Sequence, residues 1–334
     1  MSHFSLLYIS YFPFPFKLDL FTVTRYIPEQ TVNMKFQNIA TLLSAASLAV
    51  AQRPASTPIC DYYTTALLKN NTAENQYTLL TLLVNTAVIG NYTKPNVGVT
   101  VPGILAKGTY NGTAVNLLPY FTGELASSNR GGNSGVSVNF LDGGAATPLM
   151  MNMPSNNTMS NQQKLLTHLY QYFGALLGCS QYGMGAFPAY QGFGSMYQVH
   201  KFMDLDVYEV SYFIQQVGLA AASFGVAMDD VDAVGKALMN AFGYRCAPPA
   251  IVIPAQGMQL ESICIAANCP LAPNATCSMY QSNITMPSAV SGNGSMASAS
   301  STKSPVAMQT ANAGANLVAE GALAAVGVAA AFFL

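Results

Sequence analysis

The chain has 334 residues, 51% of them hydrophobic and 8% charged, with a formal net charge of −1. A chain this long can bury a sizeable core, yet its charged fraction is far below the roughly 25% of an ordinary soluble domain. No basic or acidic blocks occur, which argues against a phosphate-neutralising nucleic-acid surface and leaves solubility to be explained by something other than charge.

Residues 1–33 contain the run Phe12-Pro13-Phe14-Pro15-Phe16, too broken by proline for a membrane span. They read as translation from a false upstream start, with a genuine N-terminal arm as the alternative. From Met34 the pattern is that of a signal peptide over residues 34–51: Lys35 as the basic region, an apolar run over 39–48, then Ala49-Val50-Ala51 as a small-residue cleavage site.

The mature chain is expected to be mostly helical, as one domain over residues 59–246. Residues 75–89 are apolar nearly all round and predict a buried helix. Residues 90–116, rich in Gly, Pro, Thr and Asn, read as a surface insertion. A short apolar turn follows over 117–123, and residues 124–154 form a second insertion. Residues 159–177 carry Leu165, Leu169, Tyr172 and Leu176 at helical spacing, and 178–194 is a glycine-punctuated loop.

Asp206 and Glu209 then form a capping-box start, one accepting from the first-turn amides and the other reaching back. Positions 207, 210, 214, 217, 221 and 224 supply an inner stripe, ended by Gly225. A last helix is expected to carry Asp229, Asp230 and Asp232 in its first turn, where the helix dipole favours them, and to bury Val231, Val234, Leu238 and Phe242.

All six cysteines (Cys60, Cys179, Cys246, Cys264, Cys269, Cys277) follow the cleavage site. An even set on an oxidising route implies three disulfides among fifteen possible pairings. The Cys264, Cys269, Cys277 spacing lacks a zinc pattern and marks residues 247–285 as a disulfide-stapled, Cys-rich extension. Seven N-x-S/T sequons, at Asn70, Asn91, Asn111, Asn156, Asn274, Asn283 and Asn293, suggest that glycans provide the missing solvation. Residues 286–314 read as a Ser/Ala/Gly-rich stalk. With the apolar stretch 315–334 they match a glycosylphosphatidylinositol (GPI) signal, Asn312 being the candidate attachment residue. A tail-anchored helix is the rival reading, disfavoured by the signal peptide and the lack of terminal positive charge. The expected location is the outer face of the plasma membrane or the cell wall, with a lipid anchor as the membrane contact.

The order of motifs in the central region is more specific. A helix ends at Leu177-Gly178, a loop carries Tyr190-Gln191-Gly192, and Met196-Tyr197-Gln198-Val199-His200 precedes the capped helix and the final helix. This resembles the truncated haemoglobins, globins with a two-over-two helical sandwich. The match is strong over residues 159–243, fair over 59–89 and 117–123, and absent elsewhere.

The resemblance implies a mainly α, globin-like fold with long loop insertions and haem as cofactor. His200 would be the proximal iron ligand and the metal-binding residue, with Tyr190 and Met196 beside it. Phe121 would lie against the haem face, and Val84, Leu165 and Leu169 would line the distal side. Many family members have polar groups at those three distal positions, so hydrogen-bond stabilisation of oxygen is not expected here. His168 is either an interfacial residue near a haem propionate or a sixth ligand opposite His200. Lys201 and Arg245 either pair with propionates or are solvated.

Two functions follow. One is extracellular haem binding with small diatomic ligands, redox sensing or haem capture. The other is a globin-fold surface or wall glycoprotein without haem. No G-x-S-x-G or H-E-x-x-H motif is present, so any enzyme activity would be haem-based.

Overall fold

The computed structural model describes residues 53–290. The expected upstream start, signal peptide, most of the stalk, Asn293, Asn312 and the apolar tail lie outside the described residues. Within them the chain is helix-rich, with two small sheets and three disulfides. No helix among the described residues is long and apolar enough to cross a membrane.

Four long helices form the frame: α2 (Ala73–Ile89), α5 (Asn161–Leu176), α7 (Val207–Ser223) and α8 (Met228–Phe242). α2 packs on α5, α7 packs on α8, and α2 crosses α7, while α1 (Ile59–Leu68) lies against α2. That placement explains why α2 is apolar nearly all round. With neighbours on several sides it buries Leu79, Leu80, Leu83, Val84, Ala87 and Val88, leaving little need for a polar face.

The helix ends follow local chemistry. The Thr72 hydroxyl accepts from the Asn75 amide and Ser160 accepts from Gln163. Asp206 accepts from the Tyr208 and Glu209 amides while the Glu209 carboxylate accepts from the Asp206 amide, completing the expected capping box. The α7 stripe buries Val210, Ile214, Val217 and Ala221, and Phe224 caps it. α8 buries Val231, Val234, Leu238 and Phe242 as its period requires.

Asp230 needs a different account from the dipole argument. It is buried, 2.7 Å from the Arg53 guanidinium, and accepts from the Tyr63 hydroxyl at 2.8 Å. These bonds hold its carboxyl below the usual range despite burial, and they tie the start of the domain to α8.

The two insertions are more structured than surface loops. Residues 90–116 bury Val101, Ile104 and Val115 and form a hairpin of β1 (Gly108–Tyr110) and β2 (Thr113–Val115), closed through Asn111 and Gly112, both at positive φ. The apolar turn is a short helix, α3 (Leu118–Thr122). The second insertion holds β3 (Leu125–Ser128), β4 (Val136–Ser137) and the short α4 (Ala146–Met150). β3 lies between β4 and β5 (Ser288–Ala289), all antiparallel.

The disulfides pair Cys60 with Cys179, Cys246 with Cys277, and Cys264 with Cys269. The first joins α1 to the loop after α5; the other two are nested in the C-terminal extension. All six sequon asparagines in the described region, Asn70, Asn91, Asn111, Asn156, Asn274 and Asn283, are exposed.

Candidate functional site

A cavity of about 380 Å³ lies between α5, α7 and the short helix α6 (Met196–His200). Its size is within the range of small-molecule sites, roughly 300–1,000 Å³. α5 contributes Leu165, His168, Leu169, Tyr172 and Phe173; α6 contributes Met196, Val199 and His200. Glu209, Val210 and Phe213 come from α7, and Tyr120 and Phe121 from α3. Tyr190, Phe193, Phe140 and Ile263 complete much of the lining, and the basic groups on it are Arg130 and Lys164. The two faces of α5 divide the work. Leu166 and Tyr170 are buried in the core, while Leu165 and Leu169 are partly exposed to the cavity.

His200 is held by its own helix. Nδ1 lies 2.8 Å from the Met196 carbonyl oxygen, one turn back. A carbonyl oxygen only accepts, so in the neutral ring Nδ1 carries the proton and the Nε2 lone pair is free. No hydrogen bond engages Nε2 among the described residues. Burial holds the His200 pKa below its ordinary value, with the Met196 carbonyl acting the other way. The neutral tautomer oriented by a backbone acceptor is the form in which histidine ligates metals.

His168 lines the same cavity and meets Tyr190 edge-on, ring centroids 5.3 Å apart. Neither of its nitrogens is hydrogen-bonded among the described residues. Burial, and then the charge of Lys164, push its pKa down, so this ring too is neutral near pH 7.

Glu261, from the C-terminal extension, braces α6. Its Oε2 accepts from the Met196 amide at 3.2 Å and the Tyr172 hydroxyl at 3.1 Å. The side chain is 2% exposed; desolvation raises its pKa to about 7, against the lowering effect of those two donors. The Leu260 carbonyl accepts from the Tyr197 amide and the Ser195 hydroxyl on the same helix. Opposite, the Tyr120 hydroxyl donates to Glu209 at 3.1 Å, and burial pushes the Glu209 carboxyl up.

Of the residues singled out from the sequence, His200, His168, Phe121, Leu165, Leu169, Tyr190 and Met196 converge on this cavity. Val84 does not. It lines a separate apolar void of about 20 Å³, whose walls include Leu169, Phe173 and Phe213, because α2 sits behind α5 rather than at the cavity face. Lys201 and Arg245 are not among the lining residues either. The Lys201 ammonium bonds Gln281 and lies over Phe202, and the Arg245 amide is tied to Pro270 in the extension.

The basic groups at the cavity are instead Arg130, which donates to Asn161 at 3.1 Å, and Lys164. Arg130 lay hidden in an insertion with no period to mark it. Lys164 was within reach, since it precedes Leu165 and lies four residues before His168 on one helix face. Glu261 had no local signal, being brought in from a segment without regular structure.

No protein-family profile, curated protein or solved structure matches this chain.

Proposed function

We propose that the cavity is a haem site and that the described domain is a globin-like, two-over-two helical unit of a secreted glycoprotein. The observation that carries this reading is His200, neutral and oriented by the Met196 carbonyl, with its free Nε2 on a cavity of ligand size. The pairing of α2 with α5 and α7 with α8 supports the globin-like architecture.

His200 would hold the iron through its Nε2, and Phe121, Leu165 and Leu169 would supply apolar contact. Arg130 and Lys164 would take the carboxylates of the ligand. Haem iron, when bound, supplies a site for a diatomic ligand and one-electron redox chemistry. This chain's residues would hold the group and limit water around it. The Tyr120, Tyr172 and Tyr190 hydroxyls on the lining are already donated to Glu209, Glu261 and the Phe193 carbonyl, which leaves the neutral His168 ring, unbonded among the described residues, able to donate to a bound oxygen. His168 would either help hold the iron or sit at the ligand's edge beside Tyr190. Diatomic binding, redox sensing and haem capture are the functions this site can support.

Three disulfides and six exposed sequons support an extracellular setting, and the terminal sequence pattern supports a lipid anchor. Haem titration of the purified protein tests the proposal. The wild type should show a saturable Soret band at one haem per chain, and His200→Ala should lose it. A wild type that takes up no haem would leave the surface-glycoprotein reading in its place.

A further inference from the structure

Phe193 is out of keeping with the rest of the cavity. It belongs to the lining, yet it is 71% exposed. A phenylalanine left in water at the edge of an apolar cavity forgoes the burial its ring would gain against a partner.

The backbone around it, in contrast, is fixed. The Tyr190 hydroxyl donates to the Phe193 carbonyl at 2.9 Å, and the Gln256 amide donates to the Gly192 carbonyl at 3.0 Å. Gly192 lies so close to the Tyr190 ring that a Cβ there would overlap the ring. At Gly194 a Cβ would come within 3.0 Å of Gln256 Oε1. The two glycines therefore let the chain lie flat on Tyr190 and on the extension, with only the Phe193 side chain left free to move. Side-chain rotation of an exposed residue takes picoseconds to nanoseconds and needs no loop opening.

From this geometry we infer that Phe193 is the residue that closes the mouth over a bound ligand, by rotation of its side chain on a pinned backbone. The inference rests on the reading of the cavity as a haem site. Its role is retention: a ring packed on the exposed edge of an apolar macrocycle slows departure, since most affinity differences at one site lie in the off-rate. Tyr190, which anchors Phe193 and touches His168, links this closure to the cavity interior.

The test uses the full mature glycoprotein loaded with haem b and mixed with an excess of an apo haem-acceptor protein. Wild type, Phe193→Leu and Phe193→Ala are compared for the rate of haem release. Phe193→Ala should keep the wild-type Soret position and stoichiometry but release haem about tenfold faster, with Phe193→Leu between. Release within twofold of wild type, with normal loading in all three proteins, would overturn the closure and leave the haem site standing. Failure of the wild type itself to load haem would overturn the site and the closure together. Because Phe193 is exposed, its substitution does not threaten folding, and unchanged thermal unfolding of the unloaded variants verifies this.

Discussion

The cavity has two walls, and they are held by different means. The helical wall, α5 with α6 and α7, presents Leu165, His168, Leu169, His200 and Phe213 from regular turns. Its geometry follows from apolar periodicity and from a hydrogen bond within one turn, His200 to Met196. The other wall comes from the short α3, the second insertion and the extension: Tyr120, Phe121, Arg130, Phe140 and Ile263. It has no period of its own. Side-chain bonds to backbone, a three-stranded sheet and nested disulfides hold it in register. The contrast shows a division of labour, in which the helices supply two imidazoles, Lys164 and an apolar floor while the irregular wall supplies Arg130 and braces α6 through Glu261.

The largest expected effect would break the helical wall from outside. Cys60–Cys179 closes a loop of 119 residues that contains α2 and α5. Loop entropy alone assigns such a bridge about 4–5 kcal/mol, against about 2 kcal/mol for the five-residue loop of Cys264–Cys269. Chemical denaturation of Cys60→Ala/Cys179→Ala beside Cys264→Ala/Cys269→Ala should reproduce that order. Equal losses would mean that the two walls do not differ in this way.

A pH experiment sharpens the role of the brace. Glu261 has its folded pKa raised to about 7, above the ordinary 4.5. Between those values the folded state binds more protons than the unfolded one, so this group's contribution is full below about 4.5 and is lost as pH rises through about 7. Glu261→Gln keeps an acceptor for Tyr172 and Met196 but cannot ionise. The stability of the variant relative to wild type should therefore rise between pH 5 and pH 8, by roughly 1–3 kcal/mol. A difference that does not change with pH would remove Glu261 as a strained brace.

The smallest effect concerns the rim. Arg130 and Lys164 are exposed, so each charge is well screened. Arg130→Ala/Lys164→Ala should weaken haem binding by about tenfold. With the dimethyl ester of haem, which lacks free carboxylates, wild type and variant should bind alike. A variant that binds free haem as wild type does would take the rim out of the site.

The same contrast governs how much was legible in the sequence. α5, α7 with its Asp206–Glu209 box, and the α8 stripe were readable because each rests on contacts three or four residues apart, and α2 because its apolar run is long. His200, His168, Leu165 and Leu169, singled out by the resemblance to truncated haemoglobins, lie on or beside those helices and meet at one cavity. Asn111-Gly112 between short β-prone runs is a hairpin signal of the type I′ kind, yet residues 90–116 read as a plain surface loop because their composition outweighed it. Val84 was misplaced because an all-apolar helix does not show which of its sides meets a given neighbour. Asp230 looked like an ordinary first-turn acid until Arg53, 177 residues away, was brought beside it. Arg130 and Glu261 owe their positions to long-range sheet and extension contacts, which no local pattern encodes.

On the proposed reading, the Nε2 atom of His200 is the group by which this cavity takes its ligand. Chemical rescue tests it most directly: His200→Gly is titrated with haem in the absence and presence of millimolar imidazole, beside wild type. The expected result is a Soret band in the wild type, none in His200→Gly alone, and its return when free imidazole occupies the vacated space. A His200→Gly protein that binds haem with the wild-type spectrum without imidazole would contradict it.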